Sequence, residues 1–98
     1  MRMTLAVHTR QYSIHSFPPS APIPSEVFAE EVYFICKTEE GLTLVVPSEL
    51  ALDSLEQETN WSCLEVLGPL GFSLTGILSK IASTLADVQI SIFALSSF

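Results

Sequence analysis

The sequence predicts an α+β protein, and three observations carry that expectation. Residues 32–36 and 42–46 are short runs of β-branched, aromatic and aliphatic side chains separated by Glu39, Glu40 and Gly41, the pattern of a hairpin. From Trp61 onward the chain reads as strand, glycine turn, amphipathic helix and second strand. Its 98 residues are 48% apolar, with a mean hydropathy of +0.44, which is too much apolar content for a disordered segment. That length suits one small domain or two very small modules sharing a core.

The C-terminal unit organises the rest. Leu74, Ile77, Leu78, Ile81, Ala82 and Leu85 recur at the spacing of one helical face, opposite Ser79, Lys80, Ser83, Thr84 and Asp87. Ser73 is the N-cap candidate, since its hydroxyl can accept an unpaired N–H of the first turn. Just ahead stand Gly68, Pro69, Leu70, Gly71 and Phe72, and Gly76 and Ile77 follow within the helix. Two glycines and a proline permit a sharp bend that leaves the N–H groups of the helix's positive end open to an anionic group such as a carboxylate. A tight strand-to-helix connection would call for the same glycines.

In chain order, residues 4–8 read as a short strand that turns at Thr9 and Arg10 into a second strand, residues 11–17. There Tyr12 and Ile14 alternate with Ser13 and His15 in an ambiguous, half-buried pattern. Four prolines between positions 18 and 24 mark an extended connector. Ser25 is placed to cap a short helix over residues 26–30, and Ser48 another over 48–55. Gly41 is assigned the left-handed position of the hairpin turn. The polar tract ending at Asn60 reads as a solvated loop, and the next strand spans residues 61–67. The final strand is placed at residues 90–95.

The residues from Gly68 to Ile77, with the helix ending at Leu85 and Ala86 and the strand from Ile90 to Ser96, resemble an ACT domain. More narrowly, they are similar to small bacterial ACT-domain proteins related to the CASTOR-type arginine sensors. A weaker likeness runs upstream through Tyr12, the proline-rich segment, Tyr33 and Trp61. The resemblance implies a ferredoxin-like ACT fold, an antiparallel sheet with helices on one face. Residues 1–60 would form a degenerate N-terminal module and residues 61–98 a partial second one. It implies binding of a small-molecule ligand, an amino acid above all, through Gly68, Pro69, Leu70, Gly71, Phe72, Ser73, Gly76 and Ile77. Where the arginine sensors carry an acidic side chain, this chain has Ser73, Leu74 and Thr75.

The second module is expected to be incomplete, because the family pattern continues with a turn, strand, helix and strand beyond Phe98. In a ferredoxin-like sheet a third strand separates the two that flank the first helix. The two strands here would pair directly, or an N-terminal strand or a second chain would fill the gap. An open gap would leave backbone groups unpaired at about 1–3 kcal/mol each, so a homo-oligomer is expected. The competing reading is an oligomerisation or interaction module, or a truncated remnant, with no ligand binding.

Other chemistries find little support. A formal charge of −7, with Arg2, Arg10, Lys37 and Lys80 scattered, argues against a nucleic-acid partner. No apolar run approaches the roughly 18 residues of a membrane span, and the N-terminus does not read as a secretory signal, so the protein is expected in the cytoplasm. Cys36 and Cys63 sit among apolar neighbours and read as buried free thiols. The acidic residues lack a calcium-loop spacing. His8 and His15 read as ordinary strand histidines, too few for a metal site. Neither a nucleophile elbow, a phosphate loop nor a dinucleotide fingerprint occurs. The chain does not read as an enzyme, and no cofactor or metal is expected.

Overall fold

The structure is a computed structural model that describes residues 4–67 and 74–90. Strand β1 spans Thr4–Phe17, β2 Phe34–Lys37, β3 Leu42–Pro47 and β4 Glu56–Leu67; helix α1 spans Leu74–Ala86. The strands form one sheet in the order β2-β3-β1-β4. The pairs β2–β3 and β1–β3 are antiparallel. β4 returns alongside β1, with the Leu55 N–H donating to the Ser16 carbonyl at 2.8 Å and Glu65 reaching His8. The chain divides into two compact units, Leu5–Glu65 and Val66–Phe98 with Met1–Thr4.

Register explains the core of the first unit. Ser13, His15 and Phe17 lie opposite Val46, Leu44 and Leu42, and side chains opposite one another share a face. On that face Phe17, Leu42, Leu44 and Val46 are buried together with Val27 of a 3-10 helix, Ser25–Ala29. Ala21, Ile23 and Tyr33 of the connector and Leu50 and Leu52 of the segment after β3 pack against them. The proline-rich run therefore covers the sheet rather than merely linking strands.

Several expectations need correction. β1 is one strand of 14 residues, not two meeting at Thr9 and Arg10. The polar centre of β1 marks an exposed stretch whose charges are paired, so it imitates a turn. β4 begins at Glu56, so the tract read as a solvated loop is strand; the residues from Glu56 to Asn60 are all exposed, which is why they carry no apolar alternation. Asn60 adopts φ 66 inside β4, a left-handed conformation that asparagine tolerates better than most side chains. Residues 48–55 make a turn and an irregular run but no helix. Ser25 is the first residue of its 3-10 helix rather than its cap, which is Pro24 and makes no side-chain bond.

The hairpin forms as expected, closed by the Thr38 N–H donating to the Gly41 carbonyl at 2.9 Å. Gly41 is not left-handed, however, since no described glycine has a positive φ. A Cβ there would stand 3.3 Å from the Phe17 carbonyl oxygen, so close approach of two strands is what demands a small residue. Cys36 and Cys63 are free, as expected, but Cys36 is exposed and Cys63 only half-buried. The reason is that β2, which holds Cys36, and β4, which holds Cys63, are the outer strands of the described sheet.

Helix α1 follows its periodicity. Ile77 is buried and Leu78, Ile81, Ala82 and Leu85 are half-buried, while Ser79, Lys80, Ser83 and Thr84 are exposed. It ends in a Schellman arrangement: the Ile90 N–H donates to the Leu85 carbonyl at 2.9 Å and the Gln89 N–H to the Ala86 carbonyl at 2.9 Å. Gln89 takes the left-handed position, φ 60, that glycine usually fills. Ser73 as N-cap and the strand expected at residues 90–95 lie outside the described residues, apart from Ile90.

Candidate functional site

Of the eight residues assigned to the ligand turn, Gly68, Pro69, Leu70, Gly71, Phe72 and Ser73 lie outside the described residues. Gly76 and Ile77 are described, both in the first turns of α1. Gly76 is exposed, and a Cβ added to it would meet nothing within 4 Å. Ile77 is 1% exposed and anchors the apolar face of the helix. The two residues therefore differ: a Cβ at Gly76 would have room, whereas Ile77 is buried.

A polar row on β1 was not anticipated. The guanidinium of Arg10 donates to Glu30 at 2.8 Å and to Glu49 at 3.0 and 3.2 Å, joining the connector to the segment after β3. Hydrogen bonds from Glu30 and then Glu49 hold the Arg10 pKa up, and the Arg10 bond holds the Glu49 carboxyl below its ordinary value. Arg10 and Glu49 are exposed and Glu30 is half-buried, so the pairs contribute little to stability and weaken with salt. His8 Nε2 lies 3.0 Å from Glu65 Oε1, and the His8 ring meets Tyr12 edge-on at 6.5 Å between centroids. Burial raises the Tyr12 pKa, with Cys63 adding to the effect, and burial followed by Glu65 raises that of Cys63. Such a thiol is a poor nucleophile.

Ile14, Ser16, Thr43, Glu56, Gln57 and Glu58 line an open hollow of about 260 Å³. Ile14 and Ser16 alternate with the core-facing residues of β1, so the hollow opens on the sheet face away from the core. Two carboxylates are its only charges, and its volume is just under the roughly 300 Å³ at which small-molecule pockets begin. Among the described residues no three His, Cys, Asp or Glu side chains gather as a metal set. No described helix is long and apolar enough to cross a membrane.

Comparison with known proteins bears on the C-terminal part of the chain, which holds the turn and also Glu56, Gln57 and Glu58 of the hollow. Residues 56–98 match the family model of the ACT domain. ACT domains are commonly ligand-binding regulatory domains and typically non-catalytic. The chain is also similar to a solved structure, the X-ray crystal structure of protein Atu0741 from Agobacterium tumefaciens. The two share 28% identity and a TM-score of 0.87 over 100% of this chain and 73% of that one. No curated protein matches the sequence. The fold, a four-stranded antiparallel sheet with a helix, is ferredoxin-like and of the ACT type.

Proposed function

We propose that this chain is a regulatory ACT protein of the cytoplasm that binds a small molecule, with an amino acid as the favoured class, and performs no catalysis. The carrying observation is the ACT match over residues 56–98, which contains the whole glycine turn. The reading places the ligand at Gly68, Pro69, Leu70, Gly71, Phe72, Ser73 and Gly76, its carboxylate held by N–H groups at the positive end of α1. Residues 1–60 and 61–98 act as two modules, the first degenerate, and ligand occupancy is passed to the interface of a homo-oligomer. The likeness to the small bacterial relatives of CASTOR-type sensors motivates testing arginine among the twenty amino acids, although no acid stands at Ser73, Leu74 or Thr75.

The test is a thermal-shift screen of the twenty amino acids. A ligand present at 100 times its Kd adds about 2.7 kcal/mol, enough to raise Tm by roughly 10 °C or more in a domain of this size. Gly76→Val supplies the control. Valine is no worse a helix former than glycine, and its side chain enters open space, so the fold persists while a ligand at the turn is displaced. One amino acid that shifts the wild type and not this variant supports the proposal. Twenty flat curves overturn it in favour of a plain interaction module.

A further inference from the structure

β1 carries two histidines in opposite circumstances. His8 is partly exposed and meets a carboxylate. His15 is 1% exposed and lies opposite Leu44, with its ring stacked on Phe17 at 6.3 Å between centroids. Its Nδ1 is 2.9 Å from Ser54 Oγ, and its Nε2 is buried with no partner among the described residues. An unpaired buried acceptor is tolerated better than an unpaired N–H, so the favoured tautomer has Nδ1–H donating to Ser54. A second proton would create a charged ring whose Nε2–H finds no acceptor among the described residues.

Ser54 belongs to residues 48–55, a strap laid along β1 and fastened mainly by polar contacts. The Ser48 N–H donates to the Gln11 carbonyl at 2.9 Å, the Ser48 and Ser13 hydroxyls meet at 2.8 Å, and Glu49 takes the Arg10 guanidinium. At its far end the Leu55 N–H donates to the Ser16 carbonyl at 2.8 Å. Leu50 and Leu52 between these points are only half-buried. Segments held in this way open locally at lower cost than the core.

We infer that the His15–Ser54 contact is an acid-sensitive latch, and that protonation of His15 releases the strap from β1. No described carboxylate bonds the ring: its one hydrogen-bond partner among the described residues is Ser54, and Glu56 and Glu58 of the adjoining β4 line the hollow with Ile14 and Ser16 on the sheet's other face. β1 presents Ser13 and Phe17 on the same face, β3 presents Leu42, Leu44 and Val46, and β2 presents Ile35 and Lys37. The connector adds Val27 and Tyr33, and the strap adds Ser48, Leu50, Leu52 and Ser54, with Asp53 exposed beside the last. Lys37 carries a positive charge that would oppose a charged ring, and Glu30 and Glu49 are engaged by Arg10. Burial alone pushes the His15 pKa below 6.5.

The sign follows from that direction. The folded state resists the proton that the opened state accepts at about 6.5, so closure is fully favoured above that pH. It weakens as pH falls below that value toward the folded pKa. One proton gives roughly a tenfold rise in the opening constant per pH unit within this interval.

Amide exchange by NMR on the full chain, corrected for intrinsic pH dependence, tests the latch. The Ser48 and Leu55 amides should exchange at least about tenfold faster at pH 5 than at pH 7.5, in step with the titration of the His15 ring. His15→Asn, which keeps a donor toward Ser54 and cannot titrate, should abolish the dependence, and His8→Gln should preserve it. Strap amides that stay protected to pH 5 in the wild type overturn the inference, even if His15→Asn does not fold. An unchanged response in His15→Asn overturns it equally.

Discussion

β2 and β3 are neighbours in sequence and in the sheet, and their compositions are alike. Their surroundings are not. Leu42, Leu44 and Val46 of β3 are at most 1% exposed, whereas Phe34 and Ile35 of β2 are 36% and 38% exposed. Both runs announce strands, because β-branched and aromatic side chains suit a pleated surface. Neither composition reveals depth, which comes from rank within the sheet: β3 has β1 and β2 at its sides, and the connector and strap cover its inner face.

Substitutions across this pair should separate the two environments. The largest effect is expected from Leu44→Ala, which leaves a cavity among Phe17, Val27 and Val46 and should cost about 2–5 kcal/mol in chemical denaturation. Ile35→Ala, the register partner of Leu44, should cost about 1 kcal/mol or less, since its side chain loses little burial on truncation. Equal losses at the two positions would break the comparison. Gly41→Ala, in the loop joining the strands, should cost about 1 kcal/mol, as the Phe17 carbonyl or the turn shifts by a few tenths of an ångström. A neutral result would mean that the hairpin moves freely against β1. The smallest perturbation is thiol labelling near pH 7 under native conditions. Cys36 on β2 should react well ahead of Cys63, which is half-buried and whose thiol is held protonated by burial and by Glu65. Faster labelling of Cys63 would show β4 to be more open than β2.

The parts of the fold visible beforehand are those where one face is buried and the other wet. α1 was legible because Ile77, Leu78, Ile81, Ala82 and Leu85 repeat at helical spacing, and the hairpin because its strands are short and flanked by turn residues. β1 was not legible as one strand, because Arg10 finds its partners at Glu30 and Glu49, far away in sequence, and so looked like a turn residue. The residues from Glu56 to Asn60 were missed for a related reason: a strand exposed on both faces shows no alternation. His15 was foreseen as an ordinary strand residue, and only the register opposite Leu44 and the arrival of Ser54 reveal its isolation. Of the eight residues proposed for a ligand turn, only Gly76 and Ile77 are among those described, and the two differ in burial.

Asn60 has a consequence for how this molecule behaves in a crowd. Beyond it, Leu64 and Leu67 are exposed on a strand that stands outermost among the described residues, the kind of border on which fibrils can grow. A single left-handed residue part-way along interrupts the extended backbone. An incoming straight chain can match the stretch before it or the stretch after it, but not both, and so accretion stalls after a few hydrogen bonds.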